Sequence, residues 1–145
     1  MRQTLTPGLT HELRYGVGPD RTVPRLLPDS PEFSRMPEVL ATGYMVGLVE
    51  WACILAVNPH IDWPREQTVG THVDLSHVAA TPAGMSVSIR VELVAVEGRK
   101  LTFEVEARDD KDVISRGRHE RFVVDAEKVA SRVAQKKASR SGEKP

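Results

Sequence analysis

The stretch PEVLATGYMVGLVEWACILAVNP, residues 37–59, is the most apolar part of the chain and decides the fold. We predict that it forms a helix ending at Val57 or Asn58, because Pro59 does not continue a regular helix. Its apolar side chains cover nearly all faces of that helix and not one stripe, which is typical of a helix wrapped by a sheet. Glu50 is therefore a carboxylate inside an apolar element.

The residues after this helix follow a period-two pattern, which indicates β-strands. Four segments show it, at residues 70–79, 85–96, 100–109 and 113–124. Turn-forming residues separate the last three, at 97–98 and 109–112, so we predict antiparallel hairpins there. Residues 125–137 then continue as a helix, and residues 138–145 are polar and predicted to be a disordered tail.

Two segments precede the long helix. Residues 9–17 alternate loosely and are short enough for an edge strand. Residues 19–37 hold five prolines, which argues against a long regular element, and we predict a lid over this range. The lid also carries apolar side chains that must lie on the domain: Val23, Leu26, Leu27, Phe33 and Met36.

The resulting order is β-α-β-β-β-β followed by a helix, which is the order of the hot-dog fold. This is an α+β fold in which an antiparallel five-stranded sheet curls around a central helix. At 145 residues the chain is long enough for one core, and we assign residues 1–137 to a single domain. An open sheet of this kind leaves edge strands exposed, so we predict a homodimer in which two copies pair their edges.

Charge and cysteine content narrow the possible partners. The 20 basic and 20 acidic residues cancel, which argues against nucleic acid or an anionic membrane and favours a small molecule or a protein. The single cysteine, Cys53, excludes an intrachain disulfide and a thiolate metal cluster. No apolar run reaches the roughly 18 residues of a membrane span, and none is typical of a signal peptide. We therefore expect a soluble cytoplasmic protein.

Glu50 is the first candidate for chemistry. Gly43, Gly47 and Glu50 fall at i, i+4 and i+7, so two positions without side chains lead along one helix face to a carboxylate. The structural alternative is that the glycines admit a close strand and that Glu50 pairs with a basic residue elsewhere in the chain. Burying an ionised carboxylate is costly, which favours a functional role.

Three further side chains each allow a structural and a functional interpretation. Thr42, near the helix start, either caps exposed amides or faces a ligand. His77 shares with Val73 and Leu75 the strand side expected to meet the helix, and is either a core residue or a catalyst. Cys53 is either a packing residue or, with a histidine, a nucleophile. The other four histidines show no spacing typical of a metal site, so we expect no metal.

Four segments together resemble one known family. They are SPEFSRMPEVLATGYMVGLVEWAC at 30–53, GTHVDLSHVAATPAGM at 70–85, VEGRKLTFEVEARD at 96–109 and GRHERFVV at 117–124. Their order and content resemble the fluoroacetyl-CoA thioesterase family over roughly residues 22–137. The resemblance implies a hot-dog homodimer that cleaves acyl-CoA thioesters without a metal. It implies a catalytic threonine, glutamate and histidine at the positions of Thr42, Glu50 and His77.

The resemblance also implies how the substrate is held. Gly70, in the turn before the histidine strand, would lie beside the thioester carbonyl and offer its backbone amide, because glycine permits a close approach. The lid would cover the acyl group with Val23, Leu26, Phe33 and Met36. Met36 departs from the fluoroacetyl-specific member of the family, which carries a phenylalanine at this position.

These expectations predict hydrolysis of a short-chain acyl-CoA to the free acid and coenzyme A, with coenzyme A as part of the substrate and no separate cofactor. Glu50 would attack the carbonyl or activate water, Thr42 would orient Glu50 or the carbonyl, and His77 would move protons. One alternative is a hot-dog hydratase or dehydratase that acts on a short acyl-CoA. Another is a non-catalytic acyl-CoA binding module in which Glu50 is structural.

Overall fold

A computed structural model describes residues 1–140 of the protein. The helices and strands are β1 (Thr10–Gly16), α1 (Val23–Leu26), α2 (Pro31–Ser34), α3 (Thr42–Val57), β2 (Glu66–Leu75), β3 (Ser86–Glu97), β4 (Lys100–Arg108), β5 (Val113–Asp125) and α4 (Ala126–Arg140). Within residues 1–140, no helix has the length and hydropathy needed to cross a membrane.

The five strands form one antiparallel sheet in the order β1-β3-β4-β5-β2. The two hairpins predicted at residues 97–98 and 109–112 join β3 to β4 and β4 to β5. Helix α3 packs against β1, β2 and β3, and fully buried side chains such as Val49, Ile89 and Phe103 fill the core between helix and sheet. The predicted α+β hot-dog fold is therefore confirmed.

The expectation that the sheet wraps all faces of α3 is wrong for one copy of the chain. The face that carries Met45, Val49, Ala52 and Cys53 is buried, as expected. The opposite face is open, and the indole of Trp51 is 46% exposed. Five strands cover only one side of a helix, so the second apolar side is left without a protein neighbour in a single copy.

Strand β2 differs from its predicted bounds, because it starts at Glu66 and ends at Leu75. His77 consequently follows the strand and is not part of it. A bulge between Gly70 and His72 breaks the alternation, and Val73, predicted to face the helix, is 46% exposed. The period-two pattern located this strand, but a bulge at a sheet edge is invisible to that pattern.

The lid range contains short helices, and residues 138–140, predicted to begin a disordered tail, are helical. The lid at residues 19–37 consists of short turns and the helices α1 and α2, and Thr22 forms an isolated bridge with Leu40 that ties it to the start of α3. Helix α4 extends to Arg140, beyond the predicted domain end at Lys137, because alanine and basic residues continue to favour helix there. The rest of the predicted tail, 141–145, lies outside the described residues.

Candidate active site

Helix α3 carries both predicted catalytic side chains of this segment, Thr42 in its first turn and Glu50 eight residues later. Eight helical residues rise by about 12 Å, so the two side chains belong to separate places on the helix. No side chain caps the N-terminus of α3, so Thr42 does not have the capping role that was its structural interpretation. The first backbone amides of this helix therefore point out of the helix without an intrahelical acceptor.

Thr42 is hydrogen-bonded to His77, with 2.8 Å between the threonine Oγ1 and the imidazole Nδ1. The backbone next to His77 is held against β5, because the amides of Ser76 and Val78 donate to the carbonyls of Arg116 and Ile114. This anchoring brings a residue 35 positions along the chain back to the first turn of α3.

The His77 ring is partly buried, and burial lowers its pKa, so the ring is neutral at pH 7. A neutral ring carries one hydrogen, and when that hydrogen is on Nε2, Nδ1 accepts a hydrogen bond from the Thr42 hydroxyl. That Nε2 atom is buried and has no hydrogen-bond partner among residues 1–140. A buried polar atom without a partner is uncommon, and this one belongs to the ring whose other nitrogen is hydrogen-bonded to Thr42.

Glu50 has the basic partner that the structural interpretation required. The Nη1 of Arg121 donates to Oε2 of Glu50 at 2.8 Å, and the arginine side chain is only 3% exposed while the glutamate is 40% exposed. Arg121 also donates through Nε to the Thr68 hydroxyl at 2.9 Å and through Nη2 to the Thr68 carbonyl at 2.7 Å. The buried guanidinium is thus fixed on three sides, and Oε1 of Glu50 is left for another partner.

His119 completes this second group. Its Nδ1 lies 2.8 Å from the carbonyl oxygen of His72, and its Nε2 lies 3.0 Å from Nη1 of Arg121. The side chain is 1% exposed. Glu50, Arg121 and His119 therefore form one connected chain of hydrogen bonds that ends at the bulge in β2.

Gly70 lies directly against this chain of hydrogen bonds. It pairs with Arg121 across the β2–β5 ladder, and a Cβ added to it would come within 3.0 Å of Oε2 of Glu50 and 3.3 Å of the His119 ring. A side chain at position 70 would therefore crowd the Glu50 carboxylate and the His119 ring, and these groups would have to shift by a few tenths of an ångström. The expected close approach of backbone to the site is found on the Glu50 side.

The lid residues divide into one that reaches the site and three that are placed less closely. A Cβ added to Gly43 would lie 3.1 Å from Cδ2 of Leu26, so Leu26 covers the first turn of α3 beside Thr42. Val23 and Phe33 are half-buried in the lid, whereas Met36 is 50% exposed. The structure therefore supports Leu26 as a lining residue, and Met36 is not closed over the site in one copy of the chain.

The structure thus brings the predicted residues into two groups. Thr42 lies with His77, and Glu50 lies with Gly70, and within residues 1–140 no hydrogen bond links the two groups. Sequence reasoning missed Arg121 and His119. Alternation along β5 puts both on the strand side that carries the buried Val123, but only the pairing of β5 with β2 shows that Arg121 lies beside Glu50.

Cys53 is not a nucleophile in this arrangement. Its thiol is fully buried, and burial raises its pKa to about 12, so the reactive thiolate is not formed near neutral pH. Within the part of the chain that the structure describes, no three acidic, histidine or cysteine side chains are grouped as metal ligands.

Comparison with known proteins identifies the family of the chain. The family model for fluoroacetyl-CoA-specific thioesterases matches residues 23–127. The fluoroacetyl-CoA thioesterase of Streptantibioticus cattleyicolor is 48% identical over 127 residues, which cover 88% of this chain and 89% of that protein. A crystal structure of the fluoroacetyl-CoA thioesterase FlK is 45% identical with a TM-score of 0.89, covering 92% of this chain and 98% of that one.

A more distant structure has the same architecture. The Thermus thermophilus protein TTHA0967, a thioesterase superfamily member, is 25% identical with a TM-score of 0.85, and the match covers 97% of this chain and 99% of that chain. The family model and the close relatives each span most of the chain. The chain therefore belongs to the fluoroacetyl-CoA-specific thioesterase family.

Proposed function

We propose that this protein hydrolyses a short-chain acyl-CoA thioester to the free acid and coenzyme A. The observation that carries the proposal is the 2.8 Å hydrogen bond between Thr42 and a partly buried neutral His77 at the open N-terminus of α3. A hydroxyl–imidazole pair beside unpartnered helix amides can meet the carbonyl oxygen and the departing sulfur of a thioester. The family membership agrees with that chemistry.

Glu50 supplies the negative charge that the reaction needs. Arg121 holds one of its oxygens, and the other is left to take a proton from water or to attack the carbonyl carbon. In the first version, water adds to the carbonyl, Glu50 takes its proton, and the C–S bond breaks. The proton then passes to the sulfur, to which the Nε2–H of His77 donates a hydrogen bond. In the second version, Glu50 attacks the carbonyl, the C–S bond breaks with release of the coenzyme A thiolate, and an anhydride with Glu50 forms. Water then cleaves the anhydride to the free acid and Glu50, and a proton from that water passes to the thiolate.

Both versions use only groups of the chain and water, so the proposed reaction needs no metal and no cofactor beyond the coenzyme A of the substrate. We place it in the cytoplasm, where the reducing environment suits the free thiol of Cys53. Fluoroacetyl-CoA is the substrate in the names of the relatives, and Met36 is the lid residue at which this chain departs from the fluoroacetyl-specific pattern.

We predict that kcat/KM for thiol release is highest for acyl groups of two or three carbons. Leu26 packs on the first turn of α3 against Gly43, and we propose that it limits the length of the acyl pocket there. A methylene that a pocket does not accommodate costs about 1–3 kcal/mol, so an eight-carbon acyl group should lose at least about tenfold.

The measurement uses purified protein with acetyl-, fluoroacetyl-, propionyl-, butyryl- and octanoyl-CoA, and follows free thiol over time. A short enoyl-CoA is included, and its loss without thiol release would identify a hydratase. If octanoyl-CoA had the highest kcat/KM, the proposed role of the lid would be wrong.

We also propose that the protein is a homodimer whose active sites are shared between two copies. Thr42 and Glu50 lie about 12 Å apart along one helix, too far for both to contact one carbonyl group easily. The open face of α3 exposes Trp51, and the edge strand β2 exposes Val73 on the helix side of the sheet, so a second copy would cover both side chains. A two-fold axis would run two α3 helices in opposite directions, so that Thr42 of one copy approaches the middle of the other helix.

The expected result is a dimeric mass by light scattering at micromolar concentration. A sharper measurement mixes two inactive variants, Thr42→Ala and Glu50→Gln, under conditions where subunits exchange. Shared sites predict recovery of about a quarter of the wild-type activity, since half of the dimers are mixed and each mixed dimer has one intact site. A stable, fully active monomer, or a mixture as inactive as its two components, would contradict shared sites.

A further inference from the structure

His119 lies in β5, the neighbour of the edge strand β2, opposite Val73 of β2 and Phe103 of β4. Its side chain is 1% exposed, yet both of its ring nitrogens have a partner. A histidine buried only for packing does not require that arrangement. The two partners lie on opposite sides of the proposed site, one at the bulge of β2 and one beside Glu50.

The partners determine the tautomer of the ring. The backbone oxygen of His72 can only accept a hydrogen bond, so Nδ1 of His119 carries the hydrogen over their 2.8 Å separation. Nε2 is then an acceptor, and it receives a hydrogen bond from Nη1 of Arg121 at 3.0 Å. Burial lowers the pKa of His119, which keeps the ring in this neutral form, and the nearby charge of Arg121 lowers that pKa further.

One nitrogen of Arg121 serves both neighbours. The two hydrogens of Nη1 go to Oε2 of Glu50 at 2.8 Å and to Nε2 of His119 at 3.0 Å. The guanidinium is planar, so the directions of its hydrogens follow from the orientation of its plane. An acceptor at 119 helps to fix that plane and therefore the direction of the hydrogen that Nη1 presents to Glu50. Without that acceptor, the guanidinium can turn about its remaining bonds to Thr68, and the carboxylate moves with it.

We infer that His119 is a positioning residue, which aligns Glu50 for reaction by accepting a hydrogen bond from Arg121 while its other nitrogen holds the β2 bulge next to Gly70. The inference rests on the proposed function for its effect on turnover. Its geometric part, the control of the Glu50 orientation from position 119, stands on the hydrogen bonds alone.

Two substitutions separate the two hydrogen bonds of the ring. His119→Asn places an amide near the position of Nδ1, so it keeps the donor to the His72 carbonyl and loses the acceptor for Arg121. His119→Gln reaches the position of Nε2 with its carbonyl oxygen, so it keeps the acceptor and loses the donor. Each variant loses one buried hydrogen bond, and we expect similar drops in melting temperature.

The expected result is a loss in kcat of about 10- to 100-fold for His119→Asn with KM within about twofold, because a misplaced catalytic group affects the transition state more than binding. His119→Gln should keep kcat within about fivefold of wild type. A purely structural role predicts that both variants lose activity in step with their melting temperatures. Equal kcat losses in the two variants, or wild-type kcat in His119→Asn, would overturn the inference.

A second readout does not depend on turnover. In protein with ¹³C-labelled glutamate, the carboxyl resonance of Glu50, assigned with Glu50→Gln, should shift in His119→Asn and stay near its wild-type position in His119→Gln. If wild-type protein released no thiol, the proposed function would fail while this spectrum still decided the positioning role. An unchanged Glu50 resonance in both variants would overturn that role even if the enzyme were active.

Discussion

Replacement of Glu50 by glutamine is expected to lower kcat/KM for thiol release by roughly 10² to 10⁴. The amide keeps the shape of the side chain and can still accept the hydrogen bond that Arg121 donates at 2.8 Å. It loses the negative charge that takes a proton from water or attacks carbon, so both versions of the mechanism fail together. The measurement is thiol release from the best short acyl-CoA, with melting temperature on the same preparation.

The chain offers a matched control in Glu106. This glutamate also pairs with arginine, at 2.8 Å to Arg108 and 3.1 Å to Arg116, and its side chain is 37% exposed against 40% for Glu50. Glu106→Gln removes the same charge from the outer face of the sheet and should leave turnover unchanged. If Glu50 were only a structural acid, Glu50→Gln would lower the melting temperature, because it weakens the pair with the buried Arg121, and would retain wild-type turnover as Glu106→Gln does.

Substitution of either Thr42 or His77 by alanine is expected to lower kcat by about 10² or more, because the two side chains act through one 2.8 Å hydrogen bond. The double variant should be little worse than the worse single variant, since residues that act as a unit lose their joint contribution at the first substitution. Thr42→Ser keeps the hydroxyl and should retain most of the activity. Losses that multiply in the double variant would show that the two residues act independently.

The sequence predicted the parts of the fold that depend on local periodicity. The apolar run of α3 and the alternation of β3, β4 and β5 appear in the structure close to their expected bounds. Two predictions were wrong because they depend on features that do not appear in the periodicity of the sequence. Strand β2 ends at Leu75, before His77, and the open side of α3 depends on how far one sheet can reach around a helix.

The sequence predicted which residues belong to the site, but not which of them contact one another. Thr42, Glu50 and His77 were identified from residue type and family resemblance, and their positions show which of them meet. Thr42 contacts His77 because the backbone after β2 is hydrogen-bonded to β5, and this pairing between distant parts of the chain is set by the folded sheet. Arg121 was missed because a single basic residue in an alternating strand is usually exposed, and only the register with Gly70 places it beside Glu50.

A single turnover with protein in excess over acyl-CoA tests the central claim most directly. Wild-type protein is mixed with less than one equivalent of fluoroacetyl-CoA or, separately, acetyl-CoA, and free thiol is measured as the reaction is stopped at successive times. Thioester hydrolysis predicts that the bound coenzyme A of at least one substrate is converted completely to free thiol, and that Glu50→Gln under the same conditions converts it at least about a hundredfold more slowly. If both acyl-CoAs were recovered intact from a tight complex with the wild-type protein, hydrolysis would be contradicted and the protein would be identified as a binding module.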